Sequence, residues 1–136
     1  MKKGIILKTV IIISCLLIMN RCVIDPWDFK LKITNNSEKV IYFVDSYAYP
    51  DTSFDYNPIQ CPEFFRVNPG DTESDRTSDT REGEFELIDT LMIFIFDEET
   101  LKTVPWDTIQ KRYMILKRYD LSLEDLQGMN WRITYP

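Results

Sequence analysis

Leu91-Met-Ile-Phe-Ile-Phe96 is a run of six apolar residues bounded on both sides by polar ones. Alternate side chains leave opposite sides of a strand, so a short, uniformly apolar run suits a central strand covered on both faces. The flanking chain carries further strand patterns. From Asp28 to Thr34, Phe29, Leu31 and Ile33 share one face and Lys30, Lys32 and Thr34 the other, as in a half-buried strand. Asn35-Asn-Ser-Glu38 has turn chemistry, and Val40-Ile-Tyr-Phe-Val44 is β-branched and aromatic, so the pair is expected to form a hairpin. Asp55 to Pro62 is expected as loop. Phe64 to Val67 is expected as a short strand stopped by Asn68-Pro-Gly70, and Asp71 to Glu84 as an exposed connection. Phe85 to Ile88 is a candidate for a further paired segment.

After the apolar run, Asp97 to Thr100 opens a turn, and Pro105 suits the start of a helix reaching about Arg112. Leu116 to Leu121 is expected as a strand. Ser122 and Asp125 have the spacing of a capping box, with Gly128 ending that helix. Trp131, Ile133 and Tyr135 then alternate with Arg132 and Thr134 in a closing strand. Many short strands without a βαβ rhythm predict an all-β fold with one or two short helices. The expected form is a mainly antiparallel β-sandwich, immunoglobulin-like or transthyretin-like, whose first and last strands pair.

The N-terminus has a different character. Lys2, Lys3 and Lys8 precede Thr9–Met19, eleven residues without a charge. A positive start followed by a short apolar stretch is the layout of a secretory signal. A permanent membrane span needs about 20 apolar residues, and extending this run backwards would bury Lys8. Signals ending at a small residue before cysteine resemble those of bacterial lipoproteins, where the cysteine is acylated. On that resemblance Cys22, which follows the cleaner apolar run, is the lipidation candidate. Cys15, preceded by Ser14, is the alternative. The chain then divides into a signal at 1–21, a tether at 22–27 and one domain at 28–136. Residues 1–21 hold four of the sixteen basic residues and no acid, so the remainder has 12 basic against 22 acidic groups, a net charge of −10. Such a surface repels phosphate backbones, so nucleic acid is not an expected partner. Aromatic content of 13% supports a packed core rather than disorder.

With CVIDPWDF after the signal, FIFDEETL in the middle and LKRYDLSLEDLQGMNWRITYP at the end, the chain resembles short lipoproteins of the Bacteroidetes. The resemblance covers nearly the whole chain but rests on structural motifs, and no activity is assigned to that group. It implies a β-sandwich held at the cell envelope, at the outer membrane, with the lipid bilayer as partner through acyl chains. Arg21, large and charged where a small residue is usual, departs from the pattern.

The chemistry of the domain is read mostly by exclusion. The chain has no histidine, which removes Ser–His and Cys–His nucleophile pairs and most zinc sites. No cofactor is expected, nor an enzyme. Asp71, Glu73, Asp75, Asp79 and Glu82 have the oxygen spacing of a calcium loop, although Arg76 stands where that loop needs glycine. Tyr47, Tyr49, Phe54, Tyr56, Phe64 and Phe65 surround the Pro-rich segment with Asp45, Asp51 and Asp55 between them, the mixture that sugar- or partner-binding surfaces use, and exposure of Tyr49, Phe54 and Tyr56 together is the mark of that reading. Against that stands a core role for the rings and a turn role for the aspartates. Asn35-Asn-Ser37 fits a glycosylation sequon, and Cys61 is expected as a small buried side chain. The function expected from all this is a membrane-anchored, non-enzymatic accessory or binding module. Its partner would be an envelope protein or, as the alternative, a glycan or calcium.

Overall fold

In the computed structural model every residue from Leu91 to Phe96 is buried, and the rest of the domain is arranged around that strand. The structure describes residues 30–74 and 89–136. Its strands are β1 (Lys32–Asn35), β2 (Ile41–Ser46), β3 (Arg66–Val67), β4 (Thr72–Ser74), β5 (Leu91–Asp97), β6 (Lys117–Leu121) and β7 (Arg132–Tyr135). Between them lie a 3-10 turn at Pro58–Gln60 and four short helices: α1 (Pro62–Phe65), α2 (Glu98–Thr103), α3 (Trp106–Arg112) and α4 (Leu123–Gly128). The architecture is mainly β. One sheet has the order β4-β1-β7 and the other β3-β2-β5-β6.

All strand neighbours are antiparallel except β1 and β7, which run parallel from Lys32↔Arg132 to Asn35↔Tyr135. The expected pairing of the first and last strand patterns therefore forms. The expected hairpin does not. β1 pairs with β4 and β7, whereas β2 pairs with β3 and β5 in the other sheet. Asn35 accounts for the crossing. It is fully buried, its Nδ2 donates to the carbonyls of Lys39 (2.7 Å) and Val67 (3.1 Å), and its Oδ1 accepts from the Ser37 backbone N–H (3.0 Å). The side chain thus fixes the turn and ties the end of β1 to a strand of the opposite sheet. Ile41 to Val44 are buried in succession, which a strand attains only with cover on both faces.

Other expectations change at element ends. Pro62 is preset for a first helical turn, so the chain is helical through Phe65 and becomes a strand only at Arg66. Thr72–Ser74 is not a free connection but pairs with β1 from Thr34↔Thr72 to Lys32↔Ser74. Asp97 does not merely open a turn: its side chain accepts from Thr100 N–H at 3.0 Å and caps α2. The helices outnumber the one or two expected. α3 follows Pro105 as predicted and stops at Tyr113, whose backbone is left-handed (φ 52°). The capping box of α4 is formed as read, Ser122 Oγ accepting from Asp125 N–H at 3.1 Å. Phe85 to Ile88 lie outside the described residues.

Candidate functional site

Beyond Tyr42, no described strand accompanies β2 on its β3 side. β3 pairs only through Ile41↔Val67 and Tyr42↔Arg66, while β5 accompanies β2 as far as Ser46. The chain that would extend β3 has instead been wound into α1 by Pro62. Beside this part of β2 is an open cleft of about 470 Å³ lined by Val44, Asp45, Tyr56, Cys61, Phe64 and Phe65. Val44 and Asp45 are consecutive residues on a strand, and a cavity reached by both lies along the strand's edge rather than over one face.

The aromatic rings are set at angles. Phe65 is buried and meets Phe43 edge-on at 5.9 Å between centroids. Tyr56 is tilted 51° to Phe65 at 5.1 Å, and Phe64 stands at 65° to it at 6.3 Å. Tyr56 and Phe64 are 40% and 39% exposed, so the outer walls of the cleft are open to solvent. Cys61 is a free thiol, half-buried between the 3-10 turn and α1, not the enclosed side chain expected. Hydrogen bonding with Cys61, then desolvation, then the Cys61 and Glu63 charges raise the Tyr56 hydroxyl above its ordinary pKa of 10.0. Behind the cleft, Arg66 Nε reaches Glu98 Oε1 at 3.2 Å, and Lys102 Nζ reaches the same oxygen at 3.1 Å. The Arg66 contact ties α2 to β3, while the Lys102 contact lies within α2.

The expected aromatic patch is divided by the fold. Phe54 belongs to the core, 5% exposed, with ring centroids 5.2 Å from Phe94, 5.1 Å from Phe96, 5.6 Å from Trp106 and 5.5 Å from Tyr113. Gln110 Nε2 donates to its carbonyl at 2.7 Å and holds the loop down. Tyr47 is half-buried against the same core, Tyr49 is half exposed, and neither lines the cleft. Of Tyr47, Tyr49, Phe54 and Tyr56 only Tyr56 reaches it. Phe64 and Phe65 of the expected aromatic patch do reach it, although a strand was expected there, whose alternation would send them to opposite faces. The helical turn brings both to one cleft.

Of the calcium-loop residues, Asp75, Asp79 and Glu82 lie outside the described residues, as do Cys15 and Cys22. Asp71 accepts from Asn68 Nδ2 at 3.0 Å, and Glu73 sits within β4. Among the described residues no group of three or more Cys, Asp or Glu is placed to hold a metal. The sequon residue Asn35 is fully buried with its amide engaged, so it offers no acceptor for a glycan.

No protein-family model matches the chain, and no curated protein or solved structure matches it. The reading of the cleft rests on its geometry.

Proposed function

We propose that the protein is a lipid-anchored, non-enzymatic binding or accessory module of the cell envelope, a β-sandwich held at the membrane by acylation of Cys22. The observation that carries the anchor is the leader: Lys2, Lys3 and Lys8 followed by only eleven uncharged residues before Asn20-Arg-Cys22. Such a run falls short of the roughly 20 apolar residues a spanning helix requires. Among the described residues no helix is long and apolar enough to cross a membrane. The sandwich form is supported by the core. Both faces of β2 and β5 are buried, and Ile33 and Ile133 of the other sheet, with Leu31 and Trp131 just before its strands, belong to the same apolar cluster.

The binding part is supported by the open aromatic cleft beside β2, with a carboxylate, a phenol and a thiol among its lining groups. Concave apolar surfaces with a few polar groups are where ligands bind. Exposed rings beside Asp45 also suit a sugar, the second reading. Membrane fractionation of the full chain against Cys22→Ala tests the anchor, with intact mass of the N-terminal fragment as readout. The wild type should sediment with membranes and carry acyl mass on Cys22, and the variant should lose both. Retention of Cys22→Ala in membranes, with no acyl mass on Cys15 either, overturns the anchor.

A further inference from the structure

We propose that the loop between α3 and β6 is a second membrane contact, which seats the domain on a bilayer surface of anionic phospholipid. The proposal rests on the membrane-held reading above and adds the residues that meet the lipid. Lys111-Arg-Tyr-Met-Ile-Leu-Lys-Arg118 sets four apolar residues between two basic pairs, with no acid among the eight. Tyr113 is 38% exposed and Leu116 45%, while Met114 and Ile115 are half-buried against the core beneath them. Tyr113 is held in place: its ring packs on Phe54 with centroids 5.5 Å apart, and its hydroxyl accepts from Arg118 Nη1 at 2.9 Å. Leu116 continues the pairing of β6 through its N–H to Ile95 O at 2.7 Å. It therefore leaves the strand on the same side as Arg118, the side where Arg118 meets Tyr113. Exposed Leu and Tyr side chains among Lys and Arg suit the boundary between acyl chains and headgroups. There the apolar groups are buried and the cations face phosphate.

Charge decides the orientation. Two of the four cations are matched: Lys111 Nζ lies 3.6 Å from Asp107 Oδ2, and Arg118 holds both oxygens of Asp120 at 2.8 and 2.9 Å. Arg112 is exposed, with no carboxylate at ion-pair distance among the described residues, and Lys117 lies over the Tyr119 ring at 4.6 Å. Residues 107–120 thus hold four basic and two acidic groups, whereas the rest of the chain from residue 22 has 8 basic against 20 acidic. An anionic surface attracts this part of the domain and repels the remainder. The loop adjoins the end of the sheets where β1 finishes at Asn35, not the end where the chain enters β1. The reach of the chain permits such a seating. Eight residues from Cys22 to Lys30 extend at most about 28 Å, against about 20 Å for the six residues of β2.

The test holds the full-length protein in nanodiscs of mixed phosphatidylcholine and phosphatidylglycerol that carry a lipid spin label just below the headgroup. Amide signals of Met114–Lys117 should be broadened far more than those of α4, which lies at the other end of the sheets. Discs of phosphatidylcholine alone should reduce that contrast. Arg112→Ser should lower the ratio of loop to α4 broadening by about fivefold, and Leu116→Asn by about the same factor. Both side chains are exposed, so unchanged shifts in β5 should confirm that the fold is kept. Equal or stronger broadening at α4, indifference to phosphatidylglycerol, or indifference to both variants would overturn the inference. An acylated thiol or an uncleaved leader would each hold the chain to the disc, so the result is independent of the Cys22→Ala fractionation. Elution of the protein apart from the discs would remove the anchor and the loop contact together.

Discussion

Asn35 and Phe54 show how single residues acquire roles that their neighbours in sequence do not suggest. Asn35 is fully buried, and replacing it by Ala would leave the carbonyls of Lys39 and Val67 without their side-chain donor. Unsatisfied buried groups and the loosened turn should together cost roughly 2–3 kcal/mol, read as a lowered urea midpoint with unchanged slope. Phe54 and Tyr56 are two positions apart and have opposite fates. Phe54 fills a site among four other rings, so Phe54→Ala should destabilise by about 3–5 kcal/mol. Tyr56→Ala, at an exposed wall of the cleft, should change stability by less than about 1 kcal/mol. Equal costs for the two variants would contradict the division of the aromatic segment into core and surface.

At the scale of elements, helix ends respond to acid. Asp125 accepts hydrogen bonds from the side chain and backbone of Ser122 at the start of α4, which hold its carboxyl below the ordinary 3.8. Asp51 is lowered in the same way, first by the Ser53 backbone N–H. Burial pushes Glu98 up, but hydrogen bonds and charge from Lys102 and Arg66 outweigh it and leave the carboxyl below 4.5. A carboxyl whose pKa is lower in the folded than in the unfolded chain stabilises the fold while it is ionised. These contributions are in place above the ordinary values of 3.8 and 4.5 and disappear as pH falls through the lowered ones. Thermal midpoints measured from neutral pH downward should stay level and then decline below about pH 4, with a shallower decline in Asp125→Asn. Ser122→Ala removes the cap itself and should cost about 1 kcal/mol at neutral pH. α4 was legible because its cap and its stop are local chemistry. α1 was not, because Phe64 and Phe65 suit a strand and only Pro62 favours a helical turn.

For the whole molecule, the decisive contact joins segments about as far apart as the chain allows. β7 supplies β1 with its parallel neighbour, and Tyr119 Oη of β6 donates to Thr134 O of β7 at 3.0 Å, linking the two sheets. A chain ending at Met129 would leave the buried β1 with an open edge and remove Trp131 and Ile133 from the core. That variant should lose cooperative unfolding and bind a hydrophobic dye, observed by circular dichroism and fluorescence. Closing so long a loop is entropically costly before the pairing is gained, so refolding of the intact domain should take milliseconds or longer in stopped flow.

Periodicity and cap chemistry alone determined β5, β6, β7, the boundary after Pro105 and the box at Ser122 and Asp125. These depend on residues near one another in sequence, where side-chain alternation and local hydrogen bonds act directly. Tertiary structure decided which strands share a sheet, because strand patterns such as those of β1 and β2 suit several neighbours until contacts such as the buried Asn35 amide fix their partners. It also decided that Trp131 takes a left-handed backbone, φ 57°, beside Asn130 at φ 52°; asparagine tolerates that region, but a tryptophan does not announce it. Burial of the Trp131 ring holds that turn. The same choice placed Phe54 inside and left Tyr56 and Phe64 at the surface, since a run of aromatic residues satisfies a core and a cleft alike until its neighbours are fixed.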